Sequence, residues 1–158
     1  ACFRPGCITG SKHKGAEQHG FLAYLAKCIK EGTTYKIYGY KGKQVRDQIH
    51  ANDVCAAFDA FIQHPIASAV YNLAGGMERS VSVLDAIRLL ERATSKTAKV
   101  EFRSERKGDR LYDVHDVTKF RMDYPLWEYT YSLDDIIASR RDKTPLLSRA
   151  QKDEGAYI

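Results

Sequence analysis

Apolar positions along the chain switch repeatedly between a two-residue period and a three-to-four-residue period, and polar or glycine-rich breaks mark each switch. Residues 1–8 read as a strand and residues 9–15 as a polar, glycine-containing loop. Phe21, Leu22, Leu25 and Cys28 recur at helical spacing, which predicts a helix over residues 17–30 that stops at Gly32. Residues 34–38 and 44–50 read as strands on either side of a break at residues 39–42. Asn52 and Asp53 are placed to cap a helix through Val54, Ala57, Phe58 and Phe61, which Pro65 ends. Residues 70–73 form a further strand, closed by Gly75 and Gly76.

In the second half, Ser82 and Asp85 have the form of a capping box, with Asp in the usual place of Glu or Gln. They precede a strongly amphipathic run containing Val83, Ile87 and Leu90. Residues 99–103 are strand-like and residues 104–109 are charged. Asp116 is placed to cap a short helix reaching Met122, and residues 133–137 open a last one. From Arg140 the pattern turns polar without a period. The expectation is a compact body over residues 1–139 and a loose polar tail over residues 140–158. No repeat at a period of about 20–50 residues is visible. The fold class this implies is α/β, with short strands alternating with helices.

Composition narrows the picture further. A chain of 158 residues, 44% hydrophobic and 28% charged, suits one globular domain. No apolar run approaches the about 18 residues of a membrane span. The opening, Ala1 to Cys7, has neither Met nor an apolar signal region, so the expectation is a cytoplasmic chain cut from something longer. The four cysteines fit neither a Cys-x-x-Cys hook nor an evident pairing, and read as small buried thiols in a reducing compartment. The five histidines lack metal-ligand spacing, so no metal is expected. A net charge of +5 with interleaved tyrosines leaves nucleic-acid binding as an alternative, although no basic run or RNP-like pattern supports it.

Catalytic signatures are missing. No Gly-x-Gly-x-x-Gly or Gly-x-x-Gly-x-x-Gly turn, Walker A loop or Gly-x-Ser-x-Gly elbow occurs, and none of the ten tyrosines has Lys four places on. No catalytic residue is therefore assigned. Two arginine and glycine motifs remain. In the run from Tyr38 to Asp47, a glycine-broken turn leads into a strand that presents Arg46. A guanidinium fork binds phosphate oxygens bidentately, which Lys cannot do. In the run Arg106-Lys-Gly-Asp109, a second Arg stands beside a carboxylate able to accept hydrogen bonds from ribose hydroxyls. The other reading of each motif is a surface arginine paired with a neighbouring acid.

These motifs stand in a familiar order. Residues 3–10, 15–21, 35–39, 45–53, 71–76 and 106–109 together resemble the second half of an extended short-chain dehydrogenase/reductase, among the NAD-dependent epimerases and dehydratases of nucleotide sugars. The runs Pro-Gly-Cys-Ile-Thr-Gly, His-Gly-Phe-Leu and Tyr-Gly-Tyr-Lys-Gly-Lys-Gln-Val-Arg-Asp are most similar to the CDP-paratose 2-epimerase (CDP-tyvelose epimerase) group. The resemblance spans residues 1–137. It implies the end of a Rossmann sheet plus a small α/β substrate domain, with the dinucleotide-binding half absent. It also implies a CDP-sugar as partner, with Arg46 and Arg106 on its diphosphate and Asp109 near the ribose. Tyr38 would lie against the base, and His19 would reach the sugar or phosphate. NAD is implied for the parent family but not for this chain alone, which starts after the place of the catalytic Tyr-x-x-x-Lys pair. Without that half, an exposed strand edge makes self-association the expectation.

Overall fold

A computed structural model of the chain describes residues 1–17 and 19–140. Its elements are β1 (Cys2–Pro5), β2 (Cys7–Thr9), α1 (Phe21–Glu31), β3 (Thr34–Tyr38), β4 (Val45–His50), α2 (Ala51–Gln63) and β5 (Val70–Leu73). They continue with β6 (Ser80–Ser82), α3 (Val83–Thr94), β7 (Lys99–Arg103), β8 (Tyr112–Asp113), α4 (Thr118–Asp123) and α5 (Leu133–Ala138).

The first predicted strand is two strands, broken at Gly6. Gly6 donates its N–H to the Leu73 carbonyl at 3.1 Å. A Cβ there would stand 2.6 Å from the Ala74 side chain, so only glycine fits the crossing. The break sends the two halves to different partners. β1 pairs in parallel with β5, Phe3 opposite Tyr71, and β2 pairs in parallel with β4, Ile8 opposite Ile49. β4 is the hub: it also pairs antiparallel with β6 and in parallel with β8. β3 and β7 form a separate parallel pair, Tyr38 opposite Arg103.

Two cores follow from this layout. Leu25 of α1, Ile37 of β3, Leu90 of α3 and Ile136 of α5 share one. Ile49, Leu73, Tyr71, Phe120 and Trp127 share the other. The second is aromatic: Tyr71, wholly buried, meets Phe120 edge to face at 5.2 Å, and such pairs add about 0.5–1.5 kcal/mol beyond area burial.

Several helix starts differ from the expected ones. α1 begins at Phe21 rather than Glu17, because Ala16 and His19 exchange backbone hydrogen bonds in a tight turn and Gly20 takes the N-cap. His50, not Asn52 or Asp53, caps α2, its Nδ1 accepting the Asn52 N–H at 3.2 Å. The buried Asp53 carboxylate instead accepts the N–H groups of Thr130 and Tyr131. Ser82 caps α3 as expected, its Oγ accepting the Asp85 N–H at 3.1 Å. Asp116 accepts the Thr118 N–H at 2.8 Å at the start of α4. A complete reciprocal box, Ser132 with Asp135, opens α5.

The body also takes in Arg140, the first residue of the expected tail. It is buried and donates to the His13 carbonyl at 3.2 Å. The rest of the expected tail, residues 141–158, lies outside the described residues, as does Gln18. The cysteines are all free, but only Cys28 is buried; Cys2 and Cys55 are exposed, which corrects the reading of four buried thiols. Among the described residues no helix is long and apolar enough to cross a membrane.

Candidate functional site

The site grows from the alternation of β4. Successive side chains of a strand point to opposite faces, so Arg46 and Asp47 part company. Asp47 turns inward, wholly buried. Its carboxylate accepts the N–H groups of Gly76 at 3.1 Å and His115 at 3.0 Å, and lies 3.1 Å from His115 Nδ1. Those bonds tie β4 to the Gly75–Gly76 turn and fix the height at which Arg46 emerges on the other face.

Arg46 is held in turn. Its Nη1 donates to the Val45 carbonyl at 2.7 Å and its Nη2 to Asp109 Oδ1 at 2.5 Å. Asp109 comes from the loop between β7 and β8, where its own N–H returns to the Arg106 carbonyl at 3.2 Å. That turn carries Arg106 to the end of β3, where its guanidinium lies over the Tyr38 ring at 3.7 Å. The Tyr38 hydroxyl donates to Glu17 at 2.7 Å, and Lys36 pairs with the same carboxylate at 3.4 Å. The Tyr38 bond, then the Lys36 bond, hold Glu17 below the usual carboxylate range.

All five sequence-predicted residues, Tyr38, Arg46, Arg106, Asp109 and His19, line one cleft of about 210 Å³. Tyr38 is not open as expected: Arg106 covers a face of its ring. His19 is exposed and 6.1 Å from the His13 ring, in the turn before α1 rather than at its cap. The cleft also holds Glu17, from the loop that the resemblance brings to the sugar and phosphate, and Lys36 and Gln44, to which the sequence assigned no role. Lys36 was findable, standing two places before Tyr38 on the same face of β3. Gln44 carries no local signal, yet it donates to the Tyr38 carbonyl at 3.1 Å.

A larger cavity of about 680 Å³ adjoins the cleft, sharing Cys7, His19, Gly20 and Phe21 with it. Cys7 sits at the junction, its thiol pushed up to about 11 by burial and then by the Asp47 charge, so it is not a ready thiolate. Among the described residues no group of His, Cys, Asp and Glu could hold a metal ion. Chemically, two guanidinium groups and a lysine lining one cleft, with Arg106 stacked on an aromatic ring, suit an anionic, ring-bearing ligand.

Comparison with known proteins gives relatives and a fold. Residues 1–74 match the NAD dependent epimerase/dehydratase family. The low-salt glycan biosynthesis protein Agl12 of Haloferax volcanii is 32% identical over 124 residues, covering 77% of this chain and 38% of that protein. The UDP-glucuronate 4-epimerase of Thermodesulfobacterium geofontis is 30% identical over 109 residues, covering 69% of this chain and 32% of that protein. The chain thus spans well under half the length of these curated relatives.

Among solved structures, the UDP-glucuronic acid 4-epimerase of Bacillus cereus, in complex with UDP-glucuronic acid and NAD, superposes with a TM-score of 0.76 at 24% identity. The match covers 89% of this chain and 43% of that one. MoeE5 in complex with UDP-glucuronic acid and NAD gives 0.78 at 23% identity, over 89% and 45%. The chain therefore has the α/β fold of the corresponding part of these structures.

Proposed function

We propose that this chain is the nucleotide-sugar-binding part of an NAD-dependent epimerase or dehydratase. The observation that carries the proposal is the convergence of Arg46 and Arg106, from distant segments, on one cleft with Tyr38. In this reading the two guanidinium groups grip the diphosphate and Asp109 accepts from the ribose. The base stacks on the outer plane of Arg106, or on Tyr38 once Arg106 turns aside to meet phosphate. His19 borders both the cleft and the larger cavity, which supports a role for it where the sugar would pass from one to the other.

NAD does not fit these residues by themselves. Neither the Gly-x-Gly-x-x-Gly or Gly-x-x-Gly-x-x-Gly turn nor a Tyr-x-x-x-Lys pair is present in the sequence. No redox step is therefore assigned to this chain, and it is inactive alone. The motif resemblance favours a CDP-sugar, with C2 epimerisation of CDP-paratose to CDP-tyvelose as the parent reaction; of the proteins named above, the UDP-glucuronate 4-epimerase and the two solved complexes point to UDP-sugars instead. A free-standing nucleotide-sugar-binding module uses the same cleft. A nucleic-acid binder does not: the cationic groups here meet in a pocket rather than along a stripe.

Titration of the labelled chain with CDP, UDP and a short single-stranded oligonucleotide, followed by NMR, tests the reading. Saturable shifts of Tyr38, Arg46 and Arg106 with a nucleoside diphosphate, at about millimolar affinity, are expected. The nucleotide that binds more tightly identifies the base. Response to the oligonucleotide alone overturns the proposal.

A further inference from the structure

A second cationic cavity, of about 320 Å³, shares no lining residue with the Arg46–Arg106 cleft. The loop before α1 contributes Lys14, α1 contributes Ala23, Ala26 and Lys27, and the residues after α5 contribute Ser139 and Arg140. Among the described residues no carboxylate lines it.

Its construction fixes the charges in place. Ala23, Ala26 and Lys27 recur at helical spacing, so two small side chains floor the cavity and a lysine stands at its rim. The loop lies tight against α1: a Cβ on Gly15 would be 2.2 Å from the Tyr24 backbone nitrogen. Lys14, next in the chain, is thereby held beside the helix that carries Lys27.

Arg140 is the unusual member. It is only 6% exposed, and while its Nη1 donates to the His13 carbonyl, its Nε and Nη2 are buried with no hydrogen-bond partner among the described residues. Burial loosens its proton, holding it below the usual arginine range. A buried guanidinium with two idle donors is costly unless an anion satisfies them. Neither Lys14 nor Lys27 enters an ion pair among the described residues.

We propose that this cavity binds a phosphate dianion, either free or as the end of a phosphate monoester. Cations from three separate segments match a tetrahedral dianion better than a planar carboxylate, and the Nε–Nη2 edge of Arg140 is the fork that takes two phosphate oxygens.

NMR titration of the full chain with sodium phosphate, glycerol phosphate and sodium acetate, each at ionic strength matched with chloride, tests this. The expected result is saturable shifts of Lys14, Lys27, Ser139 and Arg140 with phosphate and none with acetate. The double variant Lys14→Glu, Lys27→Glu should weaken binding about tenfold or more, since both side chains are exposed and their charge-assisted bonds are lost. Arg106→Ala should leave these shifts intact, which separates this cavity from the cleft. Response to glycerol phosphate as well as phosphate identifies an open site for a monoester; response to phosphate alone identifies the free ion. Equal response to acetate, no effect of the double variant, or loss in Arg106→Ala overturns the proposal.

Discussion

Arg46 of β4 and Asp109, 63 positions later, form an ion pair at 2.5 Å, and both side chains are largely shielded from water, 16% and 23% exposed. The pair joins the hub strand to the loop that carries Arg106, and with the Val45 N–H bond to the Leu111 carbonyl at 2.8 Å it registers the two halves of the cleft. Removing one partner leaves the other partly buried and unpaired. A double-mutant cycle of Arg46→Ala and Asp109→Ala is expected to show a coupling of about 0.5–1.5 kcal/mol in thermal or urea unfolding. Strict additivity would show that the two residues do not register the cleft.

Arg106 behaves differently because its contacts are at the surface. It stacks on Tyr38 and reaches the Glu17 carbonyl only at 3.4 Å. An exposed cation–π contact contributes about 0.5–1 kcal/mol, so Arg106→Ala should lower stability by no more than that while weakening diphosphate binding about tenfold. A large loss of stability with unchanged binding would make Arg106 a structural residue.

Stability should fall in mild acid. Burial, then the Arg140 charge, holds His50 below its ordinary value of 6.5, and burial, Arg140 and His19 do the same to His13. Below pH 6.5, down to those lower folded values, the unfolded chain binds more protons than the folded one. Stability is therefore fully present above 6.5 and is lost as pH drops through that window. His50 adds a mechanical reason, because its Nδ1 must stay unprotonated to accept the Asn52 N–H. The urea midpoint should be lower at pH 5.5 than at pH 7.5. His50→Asn, which keeps a capping acceptor without titrating, should flatten that slope. An unchanged slope in the variant would exclude His50 as its source.

How much of this was legible in the sequence depends on element length. Helices α1, α2 and α3 and strands β3, β4 and β7 carry enough residues to show a period, and their centres stand where the pattern puts them. β6 and β8, three and two residues long, show none; pairing with β4 creates them. Glu17 reads as a helix opener because it is a good helix former beside an apolar run. The tertiary bonds from Tyr38 and Lys36 hold it in a turn instead. Arg46, Arg106 and Asp109 could be named from their arginine and glycine motifs, but the pairing of Arg46 with Asp109 could not, because it spans 63 positions rather than joining neighbours. Arg140 was not readable: what buries it is a loop more than 120 positions earlier, and its hydrogen bond to His13 spans 127.

Self-association is the next expected outcome. Phe58 and Ile62 of α2, Ile66 of the segment after it and Val70 of β5 are 41%, 72%, 42% and 41% exposed, apolar side chains left uncovered. Sedimentation should show oligomers growing with concentration, and Ile62→Lys should reduce them. A monomer at all concentrations would show that this surface tolerates water.

The most direct test of the central claim is the affinity of four proteins for CDP and UDP: the parent chain, Arg46→Ala, Arg106→Ala and, as an exposed control on α3, Arg92→Ala. The account predicts weak saturable binding by the parent and the control, and a loss of about tenfold or more in each of the other two, since a charge-assisted hydrogen bond contributes about 1.5–3 kcal/mol. Equal affinity across all four proteins would contradict it.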